Sequence, residues 1–79
     1  MTTNAHELRR TLAQNLRSGR RARGWSQEEL AARCGLHRTY IGSVERCERN
    51  VTLETLVRLA AVLEVGVVDL LTPIPDDAA

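Results

Sequence analysis

Lysine is absent from this chain, cysteine and proline occur twice each, and apolar residues never run on for long. Each scarcity excludes something. A membrane-spanning helix needs about 20 mainly apolar residues, and no stretch approaches that; nor does the N-terminus show the basic-then-apolar order of a secretory signal. The expected location is therefore cytoplasmic, with no membrane partner. Cys34 and Cys47 are too few for a disulfide framework, and without paired histidines at ligand spacing they do not make a zinc site. Two reduced thiols, no metal and no cofactor are the plain expectation. Strand-like alternation is missing too. So are a glycine-rich phosphate loop and a Ser or Cys with a base at motif spacing, which leaves an enzyme without parts.

What is present fits one small domain. A chain of 79 residues buries only about 60% of the surface its unfolded form exposes, so a partner subunit would help it. Hydrophobic residues at 43% and charged residues at 27% are ordinary for a folded domain. Net charge is only +1, but residues 1–50 hold ten arginines against five glutamates, while residues 51–79 hold one arginine against five acids. A basic half followed by an acidic half suggests one face turned to nucleic acid and one turned away. From charge alone, a mixed solvated surface is the alternative.

The elements read as all-α. Leu8, Leu12, Ala13 and Leu16 recur at spacings of three and four, predicting an amphipathic helix from about Ala5 to Ala22 that Gly24 stops. Ser26 with Glu29 forms a capping-box pattern, and Trp25 and Leu30 stand at the hydrophobic-staple positions around it. Leu30, Ala31 and Cys34 make an inward stripe, and Gly35 supplies a left-handed turn. A third helix is expected from about Arg38 to Arg46, with His37 a poor cap. Thr52 opens a fourth helix running to about Glu64, and Gly66 a short fifth through Leu71. Pro73 and Pro75 end the fold, so residues 1–72 form the domain and 73–79 a flexible tail, loosest from Asp76 to Ala79.

A capped two-turn helix, a glycine turn and a second short helix match the helix-turn-helix, whose second helix enters the DNA major groove. On a helical wheel Ile41, Val44 and Glu45 face inward, leaving Thr39, Gly42, Ser43 and Arg46 outward, with Arg38 and Tyr40 beside them. Small residues admit the backbone to base edges, arginine pairs bidentately with guanine, and threonine meets a thymine methyl. Gln27, in the first turn of its helix, suits a phosphate, and Arg49 and Asn50 could clamp a neighbouring one. Taken singly, any of these arginines could be merely solvated, and Tyr40 could be half-buried packing.

The segment WSQEELAARCGLHRTYIGSVERCERN, residues 25–50, resembles the helix-turn-helix of the phage-repressor and xenobiotic-response-element (Cro/C1-type) regulators. The stretch HRTYIGSVERCERNVTL resembles the controller proteins of restriction–modification systems, and the wider likeness covers residues 8–71. The resemblance implies a compact five-helix lambda-repressor-like domain with its helix-turn-helix at helices two and three. It implies a phosphate-anchoring role for Gln27, base contacts from Arg38, Thr39, Ser43 and Arg46, and a DNA-backbone contact from Tyr40. Arg49 and Asn50 fall in the loop after the recognition helix, and Arg20 is expected to pair with Glu45. Three positions depart from the pattern. Gly19 stands where a large aliphatic is usual, His37 replaces a polar cap, and Cys47 replaces a glycine that often ends the recognition helix.

Between Leu53 and Leu71, thirteen of nineteen residues are apolar, more than one core-facing stripe requires. Leu59, Val62, Leu63, Val67, Val68 and Leu71 are thus candidates for a two-fold homodimer interface, unless several complete the protomer core. Such a dimer predicts a roughly palindromic operator on double-stranded DNA, with half-sites one helical turn apart and salt-sensitive binding. The expected function is transcriptional control, of a restriction–modification system and of the protein's own gene. A DNA-binding antitoxin or a phage-type repressor dependent on a separate protein is the alternative. No small-molecule effector is evident.

Overall fold

A computed structural model of the chain describes residues 4–75. Five helices follow one another: α1 (Ala5–Ala22), α2 (Gln27–Cys34), α3 (Arg38–Glu45), α4 (Leu53–Leu63) and α5 (Val67–Leu70). Among the described residues there is no strand. The architecture is the all-α, five-helix one expected.

Local chemistry explains most boundaries. Asn4 Oδ1, Ser26 Oγ and Thr52 Oγ1 each accept from the amide three residues on, satisfying an orphan donor at the start of α1, α2 and α4. At α5 the carboxylate of Asp69 accepts from Gly66 N at 2.8 Å. His37 makes no side-chain cap, and α3 ends at Glu45 with Arg46 as its C-cap. The capping box at Ser26 is only half made. Glu29 turns away from the Ser26 amide to meet Arg33, one turn on, at 3.2 Å. Gly24 and Gly35 take positive φ where α1 and α2 give way to the next turn.

The core joins all five helices, with Leu16, Leu30, Ile41, Leu59 and Leu63 fully buried. Two of the residues expected at a dimer face are therefore reassigned: Leu59 is 0% exposed and Leu63 1%, inside the protomer. The stripe of α4 facing α1, α2 and α5 takes them inward. Val62, Val67 and Leu71 are half-buried and only Val68 is open, whereas Leu53 and Val57, not anticipated, are exposed. Leu8 also lies at the surface. Gly19 and Leu63 both line an open groove of about 250 Å³, with Arg23, Val65 and Ile74. A Cβ at Gly19 would already stand 3.4 Å from both Leu63 methyls, and Trp25 is not among the residues lining the groove. Its ring packs on the core with the Arg33 guanidinium 4.2 Å from its centroid.

Helix C-termini leave carbonyls without intrahelical partners, and here side chains from distant elements supply them. Arg58 donates to Cys34 O at the end of α2, Arg17 to Glu45 O at the end of α3, and Arg23 to Leu63 O at the end of α4. Asn15 donates to the carbonyls of Asp69, Leu70 and Thr72 at the end of α5. The expected loose tail, Asp76 to Ala79, lies outside the described residues.

Candidate nucleic-acid interface

The second and third helices stand in the helix-turn-helix arrangement, and their mutual position is fixed from below by one carboxylate. Arg20 Nε and Nη2 meet Glu45 Oε2 and Oε1 at 2.7 and 3.0 Å, a two-pronged ion pair. Arg20 Nη1 continues to Trp25 O at 2.9 Å, and Gln27 Nε2 donates to Glu45 Oε1 at 3.0 Å. Burial alone would raise the Glu45 carboxyl. The hydrogen bonds from Arg20 and Gln27, with the charges of Arg20 and Arg17, outweigh burial and hold it below the usual carboxylate range. The same bond from Glu45 raises Arg20 further. Glu45 thereby ties α3 to α1 and to the first residue of α2.

Above that clamp, Gln27, Arg38, Thr39, Gly42 and Arg46 line one shallow depression of about 160 Å³. Arg38, Thr39 and Arg46 are exposed. Gly42 is buried, but by the side chains of its neighbours: a Cβ there would stand 3.0 Å from Arg46 Nη1 and 3.5 Å from Gln27 Oε1. Ser43 departs from the wheel. It is 5% exposed, and its hydroxyl is occupied, donating to Tyr40 O at 2.7 Å and accepting from Arg49 Nε at 3.1 Å. The loop after α3 folds back over this position, which a helical projection cannot anticipate.

A second cluster forms there. The Arg49 guanidinium lies 5.3 Å from the centroid of the half-buried Tyr40 ring, and Asn50 Oδ1 accepts from Arg9 Nη1 on α1. Tyr40, Ser43 and Arg49 are thus one unit, with Asn50 beside it, apart from the four polar side chains around Gly42. Arg17 and Asn15 gave no signal in the sequence, because both act across distances of 28 to 57 residues. The basic excess of the first half is also partly structural. Arg17, Arg20 and Arg23 hold helix ends or Glu45, and Arg33 pairs with Glu29.

Residues 16–70 match the profile of a helix-turn-helix family, HTH_3. The chain belongs to the HTH_3 helix-turn-helix family. Among its relatives, control protein C.SmaI from Serratia marcescens is 58% identical over 66 residues, 84% of this chain and 79% of that protein. The crystal structure of the hypothetical transcription factor NHTF from Neisseria superposes with a TM-score of 0.84 at 44% identity, covering 99% of this chain and 88% of that one. The restriction–modification controller protein C.AhdI from Aeromonas hydrophila gives a TM-score of 0.74 at 44% identity, covering 78% and 94%. This HTH_3 domain is therefore of a DNA-binding, transcription-regulating type rather than an enzyme fold, close to restriction–modification controller proteins. No helix among the described residues is long and apolar enough to cross a membrane.

Proposed function

We propose that this HTH_3 protein acts as a homodimer that reads a roughly palindromic DNA operator and controls a restriction–modification system together with its own gene. The observation that carries the reading is the depression on α3, where Arg38, Thr39 and Arg46 stand exposed around a glycine, above a carboxylate clamp that fixes the helix. Such a surface offers guanine-pairing and thymine-contacting groups to a major-groove edge. Gln27 and Arg49, with Tyr40 and Asn50, flank it and take the phosphates on either side. Ser43 serves by holding Arg49. Two protomers related by a two-fold axis would set their α3 helices about 34 Å apart, one turn of DNA. The likeness to control protein C.SmaI and controller protein C.AhdI supports the regulatory assignment.

The test is selection of bound duplexes from a random pool, comparing the wild type with an Arg38→Ala, Thr39→Ala double variant. The wild type is expected to enrich a palindrome that the variant does not. No enrichment by folded wild-type protein would sink the reading.

A further inference from the structure

Glu48 played no part in the sequence argument, yet its carboxylate meets the recognition helix. Its place is set by the way α3 ends. Cys47 N donates to Val44 O at 3.0 Å and Glu48 N to Ser43 O at 2.9 Å, with Cys47 at φ 65°. This is the left-handed closure of a helix by paired backbone bonds, and it folds the chain back so that residue 48 lies beside residue 46. Glu48 Oε2 then accepts from Arg46 Nε at 3.2 Å. The two side chains are 59% and 55% exposed, so the pair adds little to stability. Its consequence is geometric.

With Nε engaged, the far edge of the Arg46 guanidinium carries the two amino groups Nη1 and Nη2. Nη1 lies over Gly42, close enough that any side chain there would have to displace it. The fork is thus laid along the helix surface and into the depression it shares with Arg38 and Thr39. A planar pair of donors held this way matches the two acceptors, O6 and N7, that guanine shows in the major groove. An arginine without such a brace is free to swing to the nearest phosphate.

We infer that Glu48 is a positioning residue for base readout, bracing Arg46 so that its Nη1–Nη2 edge addresses one guanine in each half-site, an assignment that rests on the DNA-binding reading above. The duplex enriched by the wild type supplies the probe. Binding is measured by fluorescence anisotropy to that duplex and to a set carrying single G·C to A·T changes, for the wild type, Arg46→Ala, Glu48→Ala and Glu48→Gln. The wild type is expected to discriminate at one G·C pair per half-site by about 10-fold. Arg46→Ala and Glu48→Ala lose that preference at that pair alone, and Glu48→Gln, whose amide oxygen still accepts from Nε, keeps most of it. Glu48→Ala binds unrelated duplex no more weakly than the wild type, since a negative charge has left the DNA-facing surface. Unchanged discrimination in Glu48→Ala, or a loss spread evenly over every position, would overturn the role of Glu48 while leaving DNA binding intact. Failure to enrich any duplex would overturn both.

Discussion

Among the described residues, four take a left-handed backbone, and two of them are not glycine. Gly24 and Gly35 hold φ of 71° and 67°, while Cys47 and Glu64 hold 65° and 58°. A residue with a Cβ pays about 1–2 kcal/mol for this conformation, whereas glycine pays about 0.4–1 kcal/mol through its freer unfolded chain. At Cys47 the first cost exceeds the second, and the resemblance to Cro/C1-type regulators marks this as a place where glycine is common. Cys47→Gly is therefore expected to stabilise the protein by about 0.5–1 kcal/mol, a rise of a few degrees in melting temperature, read by calorimetry at one fixed protomer concentration. A fall instead would mean that contacts of the half-buried thiol outweigh the strain.

At the scale of elements, the clamp between α1, α2 and α3 depends on Glu45 being charged. Its carboxyl titrates below the usual value of 4.5 in the folded protein. The stability it contributes is thus fully present above about pH 4.5 and drains away as pH falls through the lower, folded value. Replacing Arg20 by methionine leaves the carboxylate buried with only Gln27 and the more distant Arg17 to answer it. Arg20→Met is expected to cost about 3–5 kcal/mol at pH 7. The deficit should shrink in two stages as pH falls: with Arg20 gone, burial raises the Glu45 carboxyl, so the variant takes up its proton and recovers above pH 4.5, and the wild type loses its clamp below 4.5. Urea denaturation at a series of pH values reads both limbs, and a deficit independent of pH would remove Glu45 from the account. The five helices were legible in advance because caps and staples are local: Ser26, Thr52, Gly35 and the apolar spacing of α1 each speak within one turn. Hidden were the contacts that close the fold. Nothing near Asn15 announces the end of α5, and nothing near Ser43 announces that Arg49 will cover it. The polar and basic side chains of α3 were legible by residue type, but their division into a depression around Gly42 and a cluster around Tyr40 depends on how the loop after α3 returns.

For the whole molecule, the proposed palindrome asks how a chain with extents of 37 × 26 × 20 Å would meet two successive turns of a major groove. One protomer offers one α3 surface, so the proposed palindrome would require a second copy, with a contact surface drawn from apolar side chains that the protomer leaves uncovered. The inventory differs from the one apolar content suggested. α4 is apolar on more than one side, and periodicity cannot tell which stripe packs inward; Leu59 and Leu63 are buried within the protomer, where α4 packs on α2 and α5, which leaves Leu53 at 78% exposure and Val57 at 58%. On α5, Val68 is 76% exposed. Leu53 borders Arg49 and Asn50, so changing it would mix dimer and DNA effects, and Val57 and Val68 make the cleaner pair. A Val57→Asp, Val68→Asp variant is expected to keep its helical content and sediment at the 8.8 kDa of one chain, whereas the wild type runs at about twice that mass at micromolar concentration. Loss of the second protomer removes the avidity of two linked half-sites, so operator affinity should fall by about 100-fold or more while single half-site binding persists. A wild type that sediments as one chain throughout would discard the two-fold arrangement and the palindrome together, yet leave the α3 surface and its clamp as they are, because neither draws on a residue of that face.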